Sequence, residues 1–175
     1  MESDTIKKIL ESVSAGETSP DEALLSLKKE PFTDLSYAKV DHHRALRQNA
    51  AEVIYGEGKT PDQIVGITES LQQGGAETVL ITRMKPEAAE RARQKFGASF
   101  VYHEIPRVGI VGPLPRPTGN GTIVVAAAGT SDMYAAEEAA LTAEALGNKV
   151  QRLYDVGVAG LHRLLAHMDD IMQAQ

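Results

Sequence analysis

Residues 121–139 read GTIVVAAAGTSDMYAAEEA, and this stretch decides the fold of the second half of the chain. Thr122 to Ala128 is a continuous apolar run, as expected of a strand buried on both faces of a parallel sheet. Gly129-Thr130-Ser131-Asp132 is a tight turn of small residues. Met133 to Leu146 is an alanine-rich helix, closed by Gly147-Asn148. A second strand over Lys149 to Asp155 and a second helix over Gly160 to Met172 complete a β-α-β-α unit, which predicts a right-handed parallel crossover. Two parallel strands cannot cover such a core. The unit therefore reads as incomplete at Gln175, and Ile123, Val124, Val125 and Leu153 are expected on uncovered faces or edges.

Working outward, Val108 to Gly119 carries Pro113, Pro115 and Pro117, which favour stiff extended chain, and it reads as a domain boundary. Before it, strand and helix alternate. Glu77–Thr82 and Ser99–Ile105 read as strands flanking a helix over Pro86–Phe96. Thr60-Pro61-Asp62-Gln63 has the form of a capping box and starts a helix that buries Ile64, Ile67 and Leu71 and stops at Gly74-Gly75. Strand pieces at Tyr37–Val40 and Glu52–Tyr55 bracket the charged run Asp41-His42-His43-Arg44. Two small packing helices come first. One has Ile6, Ile9, Leu10 and Val13 on one face; the other starts at Ser19-Pro20-Asp21-Glu22 and carries Leu24, Leu25 and Leu27. The fold class is α/β, with a small N-terminal α+β domain over residues 1–118 and the β-α-β-α unit over residues 119–175.

Composition narrows the function. The 175 residues are 42% hydrophobic and 24% charged, an ordinary globular balance. No apolar run approaches the roughly 18 residues of a membrane helix, and no secretory signal opens the chain, so a cytoplasmic protein is expected. The absence of cysteine excludes disulfides, thiolate zinc sites and a cysteine nucleophile within these residues. A net charge of −6, with 5% aromatics and no Trp, argues against a nucleic-acid partner. No basic residue lies between Arg116 and Lys149, so an anion bound there must be held by backbone groups or by side chains from elsewhere.

Four motifs carry candidate chemistry. Gly129, Thr130, Ser131 and Asp132 sit where a parallel strand hands over to a helix, and main-chain amides there can hold a phosphate without lysine. Ser131 can donate to a phosphate oxygen and Asp132 can accept from a ribose hydroxyl; the competing reading is a plain helix cap. His162-Arg163 follows Gly157 and Gly160 at the analogous second junction, as a structural pair or as substrate-positioning groups, with His162 the candidate catalytic side chain. Lys39 and Arg44 are candidate phosphate ligands, against a polar edge or subunit contact. Gly56-Glu57-Gly58-Lys59-Thr60 lacks the first glycine of a phosphate loop, because Val53 stands there, and it reads as a turn and helix cap. His162 and His167 do not share a helix face as a metal pair would, and Asp169-Asp170 reads as a solvated helix end.

The runs GTIVVAAAGTSDMYAAEEA and YDVGVAGLHRLL together resemble the aminoimidazole ribonucleotide carboxylase/mutase (PurE-type) domain. In that domain a G-S-x-S-D turn holds the substrate phosphate and a later A-H-R turn carries the catalytic histidine. Ser131, Asp132, His162 and Arg163 fall on the matching positions. With AKVDHHRALRQNAAEVIYGEGKTPDQI upstream, the whole chain resembles the nickel-pincer cofactor biosynthesis family LarB. The resemblance implies a three-layer, flavodoxin-like second domain and an activity on nicotinic acid adenine dinucleotide. The pyridinium ring is carboxylated with carbon dioxide and the phosphoanhydride is hydrolysed, giving pyridinium-3,5-biscarboxylic acid mononucleotide and AMP. It further implies no organic cofactor, room for Mg2+, and a homo-oligomer, octameric in the family. The family's cysteine and glutamate are expected beyond Gln175, so turnover is not expected of these residues alone. A purine carboxylase/mutase and a non-catalytic nucleotide-binding or assembly module are the alternatives.

Overall fold

The computed structural model describes residues 3–29, 32–41 and 53–174. The chain opens with α1 (Ser3–Ser14) and α2 (Pro20–Lys29). Ser19 and Glu22 form the expected reciprocal cap, the Glu22 amide donating to Ser19 Oγ at 3.2 Å and the Ser19 amide to Glu22 Oε2 at 2.9 Å. Of the apolar residues expected on these helices, Leu10, Leu24 and Leu25 are 50–58% exposed, while Ile9 and Val13 are half-buried.

Strands β1 (Phe32–Asp34) and β2 (Lys39–Asp41) form a small antiparallel hairpin. Next come β3 (Val53–Tyr55), α3 (Pro61–Gln73), β4 (Val79–Thr82), α4 (Pro86–Phe96), β5 (Phe100–His103) and β6 (Val108–Val111). The Thr60 capping box starts α3 as its sequence requires, with Gln63 N–H to Thr60 Oγ1 at 3.3 Å and Thr60 N–H to Gln63 Oε1 at 2.9 Å. The sheet order is β3-β4-β6-β5, with β3 and β4 parallel and β6 antiparallel to both its neighbours.

Alternation along the strands then builds two cores. Val79, Ile81 and Val111 face α3 and α4, joining Ile64, Ile67, Leu71, Ala88, Ala89 and Ala92. Leu80, Val108 and Ile110 face the other way and meet Leu141 and Ala145 of α5 (Met133–Ala145). A helix of the second segment thus covers the sheet of the first.

The stretch Val108–Gly119, expected to be stiff extended chain, opens instead with a strand. Val108–Val111 is a buried interior strand, and at Gly109 an added Cβ would lie 2.5 Å from Met84 Sδ and 2.9 Å from the Phe100 ring. After it, β7 (Thr122–Ala126) and β8 (Lys149–Leu153) flank α5 and pair in parallel, as the crossover rule requires. The strand over Thr122–Ala128 is shorter than read and not buried on both faces: Ile123, Val124 and Val125 are only half-buried. Leu153, expected at an open face, is 4% exposed. The single helix expected over Gly160–Met172 is two, α6 (Leu161–Leu165) and α7 (Met168–Met172). Asp169 and Asp170 therefore open α7, where their charge complements the helix dipole, rather than close a helix. The described fold is mixed α/β with two parallel strand pairs, and none of its helices is long and apolar enough to cross a membrane.

Candidate functional site

The two strand-to-helix junctions meet at the carboxyl ends of β7 and β8. The Ala127 amide donates to Leu153 O at 2.9 Å, Val156 N–H to Ala127 O at 3.1 Å, and Gly157 N–H to Ala128 O at 3.1 Å. Gly157 permits this approach, since a Cβ there would sit 2.8 Å from the Ala128 carbonyl oxygen. The Gly129 turn and the Gly157–Arg163 turn are laced side by side as a result.

Gly129 is open: an added Cβ would meet nothing within 4 Å. The residues after it, Thr130–Asp132, form a single exposed 3-10 turn leading into α5. Asp132 turns back on it, Oδ2 accepting from the Gly129 amide at 3.0 Å and Oδ1 from the Ser131 hydroxyl at 3.3 Å. The carboxylate thus occupies one of the donors a phosphate would use, and Ser131 is oriented by it. Any anion entering this turn competes with Asp132 for the Gly129 amide.

His162 is exposed in the first turn of α6. Arg163 is committed to an ion pair with Asp155, a residue with left-handed backbone (φ 59) that the sequence did not single out. Lys39 lies on β2, in register with Asp34. Arg44 lies outside the described residues, as do His42 and His43.

The cations that α5 lacks come from the first segment. Arg83, just past β4, and Arg107, in the β5–β6 turn, stand over the Tyr134 ring with guanidinium carbons 4.8 Å and 5.7 Å from its centre. Arg83 Nε also lies 2.9 Å from Glu138 Oε2, as an ion pair without hydrogen-bond alignment. The Met84 amide donates to Arg107 O at 2.7 Å and ties the two arginine segments together. Both arginines have positive φ, 53° and 51°, a conformation held by the surrounding packing. No spacing pattern pointed to Arg83, Arg107 and Tyr134, because three different elements supply them. A cleft of about 240 Å³ opens beside them, lined by His103, Glu104, Pro106, Met133 and Glu137.

Glu137 is fixed on the far side by Tyr154, whose hydroxyl donates at 2.8 Å, and by Arg152 at 3.3 Å. Burial and the Glu137 acceptor push Tyr154 up to about 12. Arg152 also makes a bidentate pair with Glu144, at 2.5 and 2.9 Å, which holds that carboxyl below its ordinary value. Among the described residues, no group of three or more His, Asp or Glu side chains gathers as a metal site would require.

Residues 32–113 match the family model described as the LarB/PurE-like N-terminal domain. The chain is also 28% identical over 177 aligned residues to the uncharacterized protein MJ0165 of Methanocaldococcus jannaschii. That alignment covers 91% of this chain and 64% of the relative, so the chain spans just under two thirds of its relative's length.

Proposed function

We propose that this chain is part of a LarB-type carboxylase/hydrolase of nickel-pincer nucleotide biosynthesis, acting on nicotinic acid adenine dinucleotide. The observation that carries the reading is the match of residues 32–113 to the LarB/PurE-like N-terminal domain, followed in the chain by a parallel β-α-β unit. That order, 1–118 and then 119–175, is what a LarB-type protein with a flavodoxin-like second domain would show. The whole polypeptide would carboxylate the pyridinium ring with carbon dioxide and hydrolyse the phosphoanhydride, releasing AMP.

A pyridinium ring is electron-poor, so a nucleophile must add before a ring carbon can attack carbon dioxide. These residues contain no cysteine to do so, and their share of the work is binding. The amides and hydroxyls of Thr130 and Ser131 would take a phosphate oxygen, Asp132 would swing from the Gly129 amide to a ribose hydroxyl, and His162 would position substrate. Mg2+ would accompany the phosphates. A cytoplasmic homo-oligomer, octameric as in the family, completes the reading.

Calorimetric titration of nicotinic acid adenine dinucleotide into the chain tests it. Binding is expected, and Asp132→Ala or Ser131→Ala is expected to weaken it about tenfold, the worth of one hydrogen-bonded ligand contact; binding without AMP release by the whole polypeptide would return the non-catalytic nucleotide-binding module. Preference for aminoimidazole ribonucleotide would return the purine carboxylase reading. Absence of nucleotide binding would overturn both.

A further inference from the structure

The connection between the two units ends in Gly119-Asn120-Gly121, a bend at the end of the exposed run over residues 113–121. The bend is held on either side and not within. The Thr118 amide donates to Gly147 O at 3.0 Å, and Thr122 opens β7 in register with Lys149. Among the described residues, no hydrogen bond restrains the Asn120 side chain or the Gly121 amide.

An asparagine followed by glycine carries a reaction of its own. The Gly121 amide nitrogen, deprotonated by hydroxide, can attack Cγ of Asn120. The N–Cγ bond forms, the Cγ–Nδ2 bond breaks and ammonia leaves, which closes a succinimide ring. Water then opens one or other imide carbonyl, giving aspartate or isoaspartate. Ring closure needs backbone freedom at the asparagine, and it is fastest where the next residue has no side chain to obstruct the nitrogen. It also needs an amide that is not tied into a ladder or a helix. Asn120 and Gly121 meet these conditions.

Asn148 shows what protection looks like close by. Its Nδ2 donates to Ala143 O at 3.0 Å and to Leu146 O at 3.5 Å, and the residue after it, Lys149, opens β8. The carboxamide is pinned, and the nitrogen that would attack it belongs to a strand residue with a long side chain. Asn148 and Asn120 are neighbours in space, since a Cβ added at Gly119 would lie 3.4 Å from Asn148 Oδ1. Only the hydrogen bonds and the following residue set them apart.

We propose that Asn120-Gly121 is a site of spontaneous covalent modification, where deamidation converts Asn120 to aspartate and isoaspartate at the joint between the two units. Either product adds one negative charge to the net −6 of the chain. The isoaspartyl form also routes the main chain through Cβ and Cγ. The bridge from the Thr118 anchor to Thr122 then grows by one bond, and the start of β7 loses its fixed length. The site does not depend on the function proposed for the Gly129–Asp132 turn.

Peptide mapping by mass spectrometry, on the full chain aged folded at mildly alkaline pH, tests it. The amide-to-acid mass gain is expected at Asn120, within about twofold of its rate in the urea-unfolded chain, because nothing in the fold restrains the bend. The rate should rise in proportion to hydroxide, and Asn148 should stay intact while the chain is folded. Gly121 does not use the left-handed backbone region, so Gly121→Ala fits without strain. That variant should keep the parent melting temperature and slow the reaction at least about tenfold. The isoaspartyl fraction should melt about 2–4 °C lower than the parent, whereas Asn120→Asp, with the same charge and a normal main chain, should not. An Asn120 that reacts at least about tenfold more slowly folded than unfolded, or no faster than Asn148, would overturn the assignment, as would an undiminished rate in Gly121→Ala. Equal melting of the isoaspartyl and parent chains would overturn the effect on β7.

Discussion

The strands β4 (VLIT) and β7 (TIVVA) are equally apolar, yet Val79, Leu80 and Ile81 are at most 3% exposed while Ile123, Val124 and Val125 stay half-buried. Layers make the difference. β4 lies between α3 and α4 on one face and α5 on the other, whereas β7 pairs with β8 and shares the same α5. One helix thus serves two sheets, and only the four-stranded one is covered by helices on both faces among the described residues. Apolar composition marks a strand as able to be buried; the number of packed layers sets how far it is.

The sharpest way to break this comparison is a matched pair of truncations. Ile81→Ala should cost about 4 kcal/mol, the transfer and cavity penalty of a fully enclosed side chain, against about 1 kcal/mol for Val125→Ala. Urea unfolding of both variants measures the gap, and equal losses would show that β7 is as enclosed as β4.

A second pair probes rigidity. At Gly56 and at Gly157 an added Cβ would lie 2.8 Å from a carbonyl oxygen, in the first and second units respectively. Gly56→Ala should cost about 2–3 kcal/mol and Gly157→Ala about 1 kcal/mol, because the loops beside the half-buried pair can yield. Thermal unfolding at matched concentration checks the order.

The smallest effects concern charge on the α5–β8 face. Arg152→Ala should remove about 1 kcal/mol at neutral pH, since the Glu144 pair is only partly shielded. Glu144 is held below its ordinary value of 4.5 by Arg152, so this stability is present above pH 4.5 and fades as pH falls through the lower folded value. Tyr154 runs the other way: raised from 10.0 to about 12, it favours the folded state below pH 10 and loses that contribution as pH climbs through about 12. Stability profiles of Arg152→Ala and Tyr154→Phe should flatten at the acid and alkaline ends respectively.

Much of the fold was legible where the deciding contacts are local. The caps at Ser19 and Thr60 and the helix over Pro86–Phe96 follow from hydrogen bonds and steric limits within one helical turn. Val108–Val111 was not legible as a strand: the prolines after it and Gly109 within it dominate the local reading. Gly109 instead leaves space for Met84 and for Phe100, the latter on the neighbouring strand. Of the site, the Gly129–Asp132 turn and its closeness to the Gly157–Arg163 turn could be read from the crossover alone. The inward turn of Asp132 and the capture of Arg163 by Asp155 could not, because they depend on side-chain direction rather than spacing.

The amino-acid order by itself set the caps at Ser19 and Thr60, the helix over Pro86–Phe96 and the strand-helix-strand order of β7, α5 and β8, since short-range hydrogen bonding and chain chirality leave little choice there. Only the tertiary structure decided that α5 closes the four-stranded sheet and that Arg83 and Arg107 bracket Tyr134. Those arrangements depend on which surfaces a helix covers once it packs, and packing joins residues whose separation along the chain carries no periodic signal.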